Sequence, residues 1–210
     1  MKILNLFAGI GGNRTLWGNE HDITAVDNDQ QVAMIYLKRF PNDVVIVGDA
    51  YQYLEQHYSE FDFIWASPPC PTHSLLCNAQ HRKRLPDMRL YGIIIFLQKW
   101  FKGNWVVENV DPYYSPLINP MINLNRHLFW SNFIIKNKRF RKYPKDFSRG
   151  MQLIDLCNYH SVDVKLIMSL SLKKWSNHDG KRQILRNCVL PEIGQYILDS
   201  IHEKNLKEFL

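Results

Sequence analysis

The sequence predicts an α/β fold in which a parallel sheet is covered by helices on both faces. In the first two thirds of the chain, short apolar runs alternate with amphipathic stretches of helical length. Near-continuous apolar strands are typical of parallel sheets whose two faces are both buried. Glycine, proline, asparagine or aspartate follows each apolar run within two residues, which marks the strand ends.

Five strands and four helices are predicted in this part of the chain. Residues 3–7 form an apolar run that ends at a glycine-rich loop, and a helix should start near Asn13. Pro41 ends the next helix, because proline cannot continue one. The other strands are predicted over residues 23–26, 44–47, 61–66 and 104–107, and the other helices over 30–39, 50–57 and 84–101.

The last third has a different pattern, and a boundary is expected near residue 136. A strand is predicted over residues 128–135, a short helix over 162–172 and a final amphipathic helix over 190–201. A basic segment that is interrupted at Tyr143-Pro144 follows the strand.

Composition indicates a globular chain with a full core and a polyanionic partner. The 210 residues are 46% hydrophobic and carry a formal net charge of +6. Basic residues cluster at 81–84 and 136–142, which favours nucleic acid as the partner over the alternative of a solvated surface. No apolar run is long enough to span a membrane and no signal peptide is recognisable, so a cytoplasmic protein is expected.

The four cysteines are expected to be free. They form no CxxC pair, which argues against a disulfide framework or a zinc ribbon. The spacings of Cys77 to His81 and of Cys157 to His160 are loose enough to arise by chance, so no metal is expected. A free thiol fits a reducing cytoplasm.

The polar and glycine-rich loops are expected to meet at one edge of the sheet. Right-handed crossovers bring every loop that follows a parallel strand to the same edge, where ligands bind in such sheets. The loops concerned are residues 7–12, 27–29, 48–49, 67–74 and 108–110.

Three of these loops describe a site for an adenosyl ligand. The glycines at positions 9, 11 and 12 permit a close backbone approach, although a tight turn would also explain them. Asp27 could accept from ribose hydroxyls and Asp49 from an adenine amino group; the alternative for each is a helix cap. S-adenosylmethionine fits this set, whereas the loop is neither a dinucleotide fingerprint nor a phosphate loop.

Cys70 lies in the sequence SPPCPTHS, directly after the fourth predicted strand. The two preceding prolines fix the backbone and remove two N–H donors, so the thiol is presented from a stiff turn. This suits attack on a substrate; the alternative is a buried structural cysteine.

Four blocks occur in an order that resembles the DNA cytosine-5 methyltransferase family. They are NLFAGIGG at 5–12, PPC at 68–70, ENV at 108–110 and RQILRNCVLP at 182–191, against the family pattern DLFAGxGG, PPC, ENV and RQIxGNAVPP. The resemblance covers residues 1–135 and resumes near Lys181.

The resemblance implies a Rossmann-like class I S-adenosylmethionine-dependent methyltransferase sheet with a small basic target-recognition segment. It implies methyl transfer to C5 of a cytosine flipped out of double-stranded DNA, through a covalent adduct between Cys70 and C6. Glu108 should be protonated or share a proton with N3 of the base, which burial would favour. Residues 1–135 would be the catalytic domain, 136–180 a reduced target-recognition region and 181–210 a return to the catalytic domain.

Site residues follow from matching positions and from the clusters above. Those expected to be catalytic are Cys70, Glu108, Asn109 and Arg126. Those expected to bind the cofactor are Phe7, Ala8, Gly9, Gly11, Gly12, Asp27, Asn28, Asp49, Ala50, Pro69, Asn187 and Cys188. Those expected to bind nucleic acid are Ser74, Arg82, Lys83, Arg84, Lys138, Arg139 and Arg141, with Phe140, Tyr143 and Phe147 as stacking candidates.

Departures from the family pattern are limited. Asn5 replaces an aspartate and Pro71 a glutamine, and NRH at 125–127 only loosely matches QxRxR. Arg126 is the arginine taken to be retained, with a plain surface arginine as the alternative, and His73 should orient the loop after Cys70.

The short region 136–180 implies short or relaxed sequence specificity, as in an enzyme of a phage or mobile element, and a monomer is expected. Two other functions stay open. One is methylation of RNA, because a related branch acts on tRNA, and the other is nucleic-acid binding without catalysis.

Overall fold

The computed structural model describes residues 1–74, 85–144, 146–147, 150–170 and 177–205. Among the residues singled out above, Cys77, His81, Arg82, Lys83 and Arg84 lie outside these ranges. Within the described ranges, no helix combines the length and the apolarity needed to cross a bilayer.

Seven strands form one sheet with the order β3-β2-β1-β4-β5-β7-β6. The first five in this order are parallel, which confirms the predicted fold class, and β7 runs antiparallel between β5 and β6. The strands are β1 Lys2–Leu6, β2 Asp22–Asp27, β3 Val44–Val47, β4 Phe63–Ala66, β5 Asn104–Val110, β6 Ile122–Leu124 and β7 His127–Ser131.

Helices follow the parallel strands, and two of them begin where an aspartate caps the first turn. Asp29 and Asp49 each accept hydrogen bonds from two backbone N–H groups at the start of α1 and α2. The helices are α1 Gln30–Arg39, α2 Ala50–His57, α3 Arg89–Trp100, α4 Leu153–Tyr159, α5 Val164–Met168, α6 Asn177–Arg186 and α7 Pro191–Asn205. The helix expected near Asn13 is only a 3-10 turn, Asn13–Leu16, because the chain turns away at Gly18 with φ 77°.

Alternate residues of the strands feed two separate cores. On one face of the sheet, Leu4 and Leu6 of β1 pack with Leu54 of α2 and Leu97 of α3. On the other face, residues such as Ile3 pack with the apolar side of α7. Gly194 lets α7 touch the turn at Asn13, because a Cβ at this glycine would collide with the Asn13 backbone.

A third core joins the C-terminal helices to the first loop. Ile10 and α1 residues such as Ile35 pack against Leu156, Ile167 and Leu185 of α4, α5 and α6. The helices after the sheet therefore pack against the glycine loop and fix its position.

Candidate active site

The loops at the carboxyl ends of the parallel strands enclose a cavity of about 360 Å³, a size typical of ligand pockets. This is the edge at which the sequence predicted a site. The cavity is lined by all four residues expected to be catalytic and by every residue expected to bind the cofactor except Gly11. Further lining residues that were not predicted include Tyr51, Arg89, His127 and Arg186.

The glycine loop is shaped by backbone strain and by close packing. Gly9 and Gly11 have φ of 55° and 76°, and Phe7 also lies in the left-handed region at φ 54°. A non-glycine residue there is strained, and such strain concentrates at functional sites. A Cβ at Gly12 would lie 2.7 Å from Cβ of Cys188, so this glycine is needed for contact with the late motif. Gly11 faces away from the cavity, since a Cβ there would meet the ring of Tyr36.

The two aspartates at the ends of β2 and β3 accept hydrogen bonds from different parts of the backbone. Asp27 Oδ2 accepts from the N–H of Gly9 at 2.8 Å and Oδ1 from the N–H of Asp29 at 3.0 Å, so Asp27 ties the first loop to the second. Burial raises its pKa, although these backbone hydrogen bonds oppose the effect. Asp49 Oδ1 caps α2 by accepting from Tyr51 N at 2.8 Å. A carboxylate can accept about four hydrogen bonds, so both retain capacity for a ligand.

Strand register brings the proline turn beside Glu108. Ala66, the last residue of β4, pairs with Val107 of β5, so the next residues, Ser67 and Glu108, lie side by side. The side-chain amide of Asn109 donates to the carbonyl of Pro68 at 2.9 Å and holds the turn that carries Cys70. The sulfur and the carboxyl therefore face one cavity.

Electrostatics keep the Cys70 thiol protonated at pH 7 and bring Glu108 close to its titration midpoint. Burial first, and then the negative charge of Glu108, raise the pKa of Cys70 to about 11, while the positive charge of Arg126 lowers it. Burial raises the pKa of Glu108 to about 7, against a hydrogen bond with Ser67 and the charge of Arg126. The carboxyl is thus poised to hold or give up a proton at neutral pH.

His127 is a neighbour of Glu108 that sequence reasoning missed. Its Nε2 lies 3.6 Å from Oε1 of Glu108, and its side chain is buried. Burial lowers its pKa well below the usual value, so the imidazole is neutral. The only sequence signal was its place directly after Arg126 in the loosely matched arginine block.

Arg126 lies at the cavity wall between two aromatic rings. Its Cζ lies 4.6 Å from the ring centroid of Tyr143 and 4.7 Å from that of Phe147. Its guanidinium also donates to the carbonyl of Arg186 in the late motif. The arginine therefore lies in the cavity lining and not on an open surface.

The turn after Cys70 is fixed by a buried histidine. His73 Nδ1 lies 2.6 Å from the hydroxyl of Tyr114, and the side chain is 1% exposed. Thr72 accepts from the N–H of Asp87 at 3.0 Å. Ser74 forms a bridge with Pro112 and lies outside the cavity lining.

The basic residues expected to contact nucleic acid in the 136–142 cluster lie on the surface outside the cavity. Lys138 Nζ lies 4.7 Å from the ring centroid of Tyr196, and Arg139 is exposed. Arg141 Nε is 3.2 Å from Glu192 Oε1. Of the three stacking candidates, Phe147 is wrong as predicted, because its ring is buried beside Arg126 and is closed to a base.

Comparisons with known proteins identify the family and the fold. The family model described as C-5 cytosine-specific DNA methylase matches residues 1–111. The solved structure of the Entamoeba histolytica methyltransferase EhMeth superimposes with a TM-score of 0.60 at 12% identity, covering 97% of this chain and 98% of that chain. A mutant of Spodoptera frugiperda DNMT2 superimposes with a TM-score of 0.54 at 12% identity, covering 96% of this chain and 99% of that chain. These two likenesses show a shared fold. No curated protein matches the sequence.

Proposed function

The chain belongs to the C-5 cytosine-specific DNA methylase family, and we propose that it transfers a methyl group from S-adenosylmethionine to C5 of cytosine in DNA. The observation that carries the proposal is the single cavity shared by Cys70, Glu108 and the glycine loop. A nucleophile, an acid and a nucleoside cradle in one cavity are the parts that this chemistry needs.

The residues at the glycine-loop end of the cavity fit the methyl donor. Gly9, with φ 55°, leaves open space beside its backbone, and the ring of Phe7 offers an apolar surface. Asp27 and Asp49 supply acceptors for hydroxyl and amino groups, and Asn187 and Cys188 also line the cavity. S-adenosylmethionine, when bound here, supplies an electrophilic methyl group on a sulfonium.

Cys70 would act as the nucleophile because C5 of cytosine is too poor a nucleophile by itself. The thiol loses its proton to solvent, and the sulfur bonds to C6 while Glu108 gives its proton to N3. C5 would then carry the electron pair that takes up the methyl group supplied by the sulfonium of the donor. Loss of the C5 proton to solvent and return of the N3 proton to Glu108 break the sulfur–C6 bond and restore Cys70.

The electrostatics of the cavity indicate what promotes deprotonation of the Cys70 thiol. At neutral pH Cys70 holds its proton, since its pKa is raised to about 11. When N3 of a bound cytosine shares a proton with Glu108, the carboxyl no longer carries the negative charge that disfavours the Cys70 thiolate. The charge of Arg126, which favours the thiolate, then acts without that opponent.

The positive charge of the chain supports a nucleic-acid substrate, and the small size of region 136–180 supports short specificity. The chain carries a net charge of +6, and exposed Lys138, Arg139 and Arg141 form a basic surface after β7. We treat residues 136–180 as a reduced target-recognition region that gives short or relaxed specificity, with the cytosine flipped from the duplex. Bisulfite sequencing of DNA from expressing cells tests the specificity, and methylation confined to a long motif would contradict it.

Covalent trapping tests the reaction itself. We expect the protein, with S-adenosylmethionine and duplex DNA that contains 5-fluorocytosine, to form a complex that survives denaturing electrophoresis, because the fluorine cannot leave as a proton does. The matched control is Cys70→Ala, which should bind S-adenosylmethionine but form no complex. Methyl transfer by Cys70→Ala at the wild-type rate would refute the covalent step. A tRNA transcript assayed beside the duplex decides between DNA and RNA.

A further inference from the structure

The guanidinium of Arg126 is held from three sides. The rings of Tyr143 and Phe147 lie at 4.6 and 4.7 Å from its Cζ, and the backbone carbonyl of Arg186 accepts its hydrogen bond. Stacking of a guanidinium on aromatic faces is attractive and restricts its rotamers. An otherwise long and mobile side chain is thus given one position at the cavity wall.

The two rings belong to a larger aromatic cluster built from residues beyond the sheet. Tyr143 and Phe147 meet at 4.5 Å between centroids, and Tyr159 packs against both, at 5.4 and 5.6 Å. The carbonyl of Phe147 accepts from Nε of Arg186 at 3.1 Å, and its ring is 3% exposed. These rings are directed into the protein and towards Arg126, not towards a nucleic-acid surface.

We propose that Tyr143 and Phe147 are positioning residues that clamp Arg126 against the catalytic pocket, so that part of the shortened region after the sheet supports catalysis instead of reading bases. The inference rests on the proposed function, in which Cys70 and Glu108 react with the base. It extends that function by giving this region a role within the reaction.

The clamp matters because the charge of Arg126 acts on both reacting groups. It lowers the pKa of the Cys70 thiol and of the Glu108 carboxyl, against the burial that raises both. Around Glu108 also lie Ser67, which hydrogen-bonds it, and His127, which is neutral. The charge of Glu108 in turn raises the pKa values of Cys70, Tyr143 and Cys188. If the guanidinium swings away from the wall, the carboxyl loses a positive charge that favours its ionised form, and its pKa rises.

The pKa of Glu108 tests the clamp directly. The full-length protein is labelled with ¹³C at the glutamate carboxyl carbon, and its NMR signals are followed against pH. Glu108 is assigned by the signal that Glu108→Gln removes. We expect Arg126→Gln to raise the midpoint by about one pH unit, and Phe147→Leu to raise it by a measurable part of that shift.

Matched variants separate the clamp from general loosening. Phe140→Leu makes the same change in the same segment, but Phe140 packs on Tyr196 and not on Arg126, so the midpoint should stay at the wild-type value. Phe147→Leu in the Arg126→Gln background should add nothing, because the ring acts only through the arginine. Should Phe147→Leu fail to fold, Tyr143→Leu on the other side carries the same expectation.

Three results would overturn the clamp. They are a wild-type midpoint in the aromatic variants while Arg126→Gln shifts it, an unshifted midpoint in Arg126→Gln itself, and an additional shift in the double variant. The titration uses neither DNA nor S-adenosylmethionine. Failure of the proposed methylation would therefore leave this result intact, and failure of the clamp would leave the methylation result intact.

Discussion

Glu108 should make the stability of this protein depend on pH in a way that one substitution removes. The residue is 6% exposed, and burial raises its pKa from 4.5 to about 7. At about 1.4 kcal/mol per pH unit, a shift of this size amounts to about 3 kcal/mol of folding free energy. Glu108→Gln keeps the shape and a hydrogen-bonding side chain but cannot ionise.

The direction follows from where the proton is bound. Below pH 4.5 both the folded and the unfolded chain hold the proton, and the Glu108 contribution is fully present. Between pH 4.5 and about 7 the unfolded chain releases a proton that the folded protein keeps, so each rise in pH favours unfolding. Above the pKa of the folded protein, the Glu108 contribution to the free energy of unfolding is lost completely.

Urea unfolding of wild type and Glu108→Gln at several pH values between about 4 and 8 measures this effect. Other groups cancel in the difference between the two proteins, and His127, neutral throughout, does not titrate in this window. The wild type should lose about 3 kcal/mol relative to the variant as the pH rises from below 5 to 8. A difference that stays constant with pH would refute the reasoning, because it would mean that Glu108 titrates at an ordinary pKa.

Three further substitutions have defined outcomes. Gly12→Ala should lower the free energy of unfolding in urea by roughly 1–3 kcal/mol and weaken S-adenosylmethionine binding in calorimetry, because the new Cβ would lie 2.7 Å from that of Cys188; unchanged binding would contradict this. Gly92→Ala should stabilise by up to about 1 kcal/mol, since its Cβ meets open space within α3, and a lower melting temperature would contradict it. Asp43→Asn should cost about 3–5 kcal/mol in urea unfolding, because Asp43 forms a buried two-bond ion pair with Arg14; a loss below about 1 kcal/mol would contradict it.

The parallel half of the fold could be predicted because its signals are local. The bounds of α1 and α2, 30–39 and 50–57, match the prediction, since Asp29 and Asp49 place side-chain acceptors at the first turn. The strand β3 at 44–47 could also be predicted, because a short apolar run is itself a local signal.

The last third was harder because its elements depend on distant contacts. Helices α4 and α6 were not predicted, and the helix expected over 162–172 is only Val164–Met168. Such short helices are stable only through tertiary packing, here the third core around residues such as Leu156. Likewise β5 extends through Glu108 because β7 pairs with it, which the sequence of β5 alone does not indicate.

The site shows the same division between local and distant information. That Cys70 and Glu108 share an edge follows from strand order and could be predicted. The sandwich of Arg126 between Tyr143 and Phe147 could not, because basic and aromatic residues near each other in sequence also suit a nucleic-acid surface. Only burial separates the two interpretations.

Asn5 is a departure from the family pattern that the structure accounts for. Its amide pairs with that of Asn13, with Asn13 Nδ2 donating to Asn5 Oδ1 at 3.0 Å and Asn5 Nδ2 facing Asn13 Oδ1 at 3.4 Å. Both side chains are buried, so an aspartate at position 5 would keep the bond from Asn13 Nδ2 but would set its second oxygen against Oδ1 of Asn13. Asn13 also lines the cavity and contacts α7 at Gly194. The neutral pair thus links β1, the glycine loop and the C-terminal helix beside the proposed S-adenosylmethionine site. An aspartate at position 5 would require a different partner at position 13.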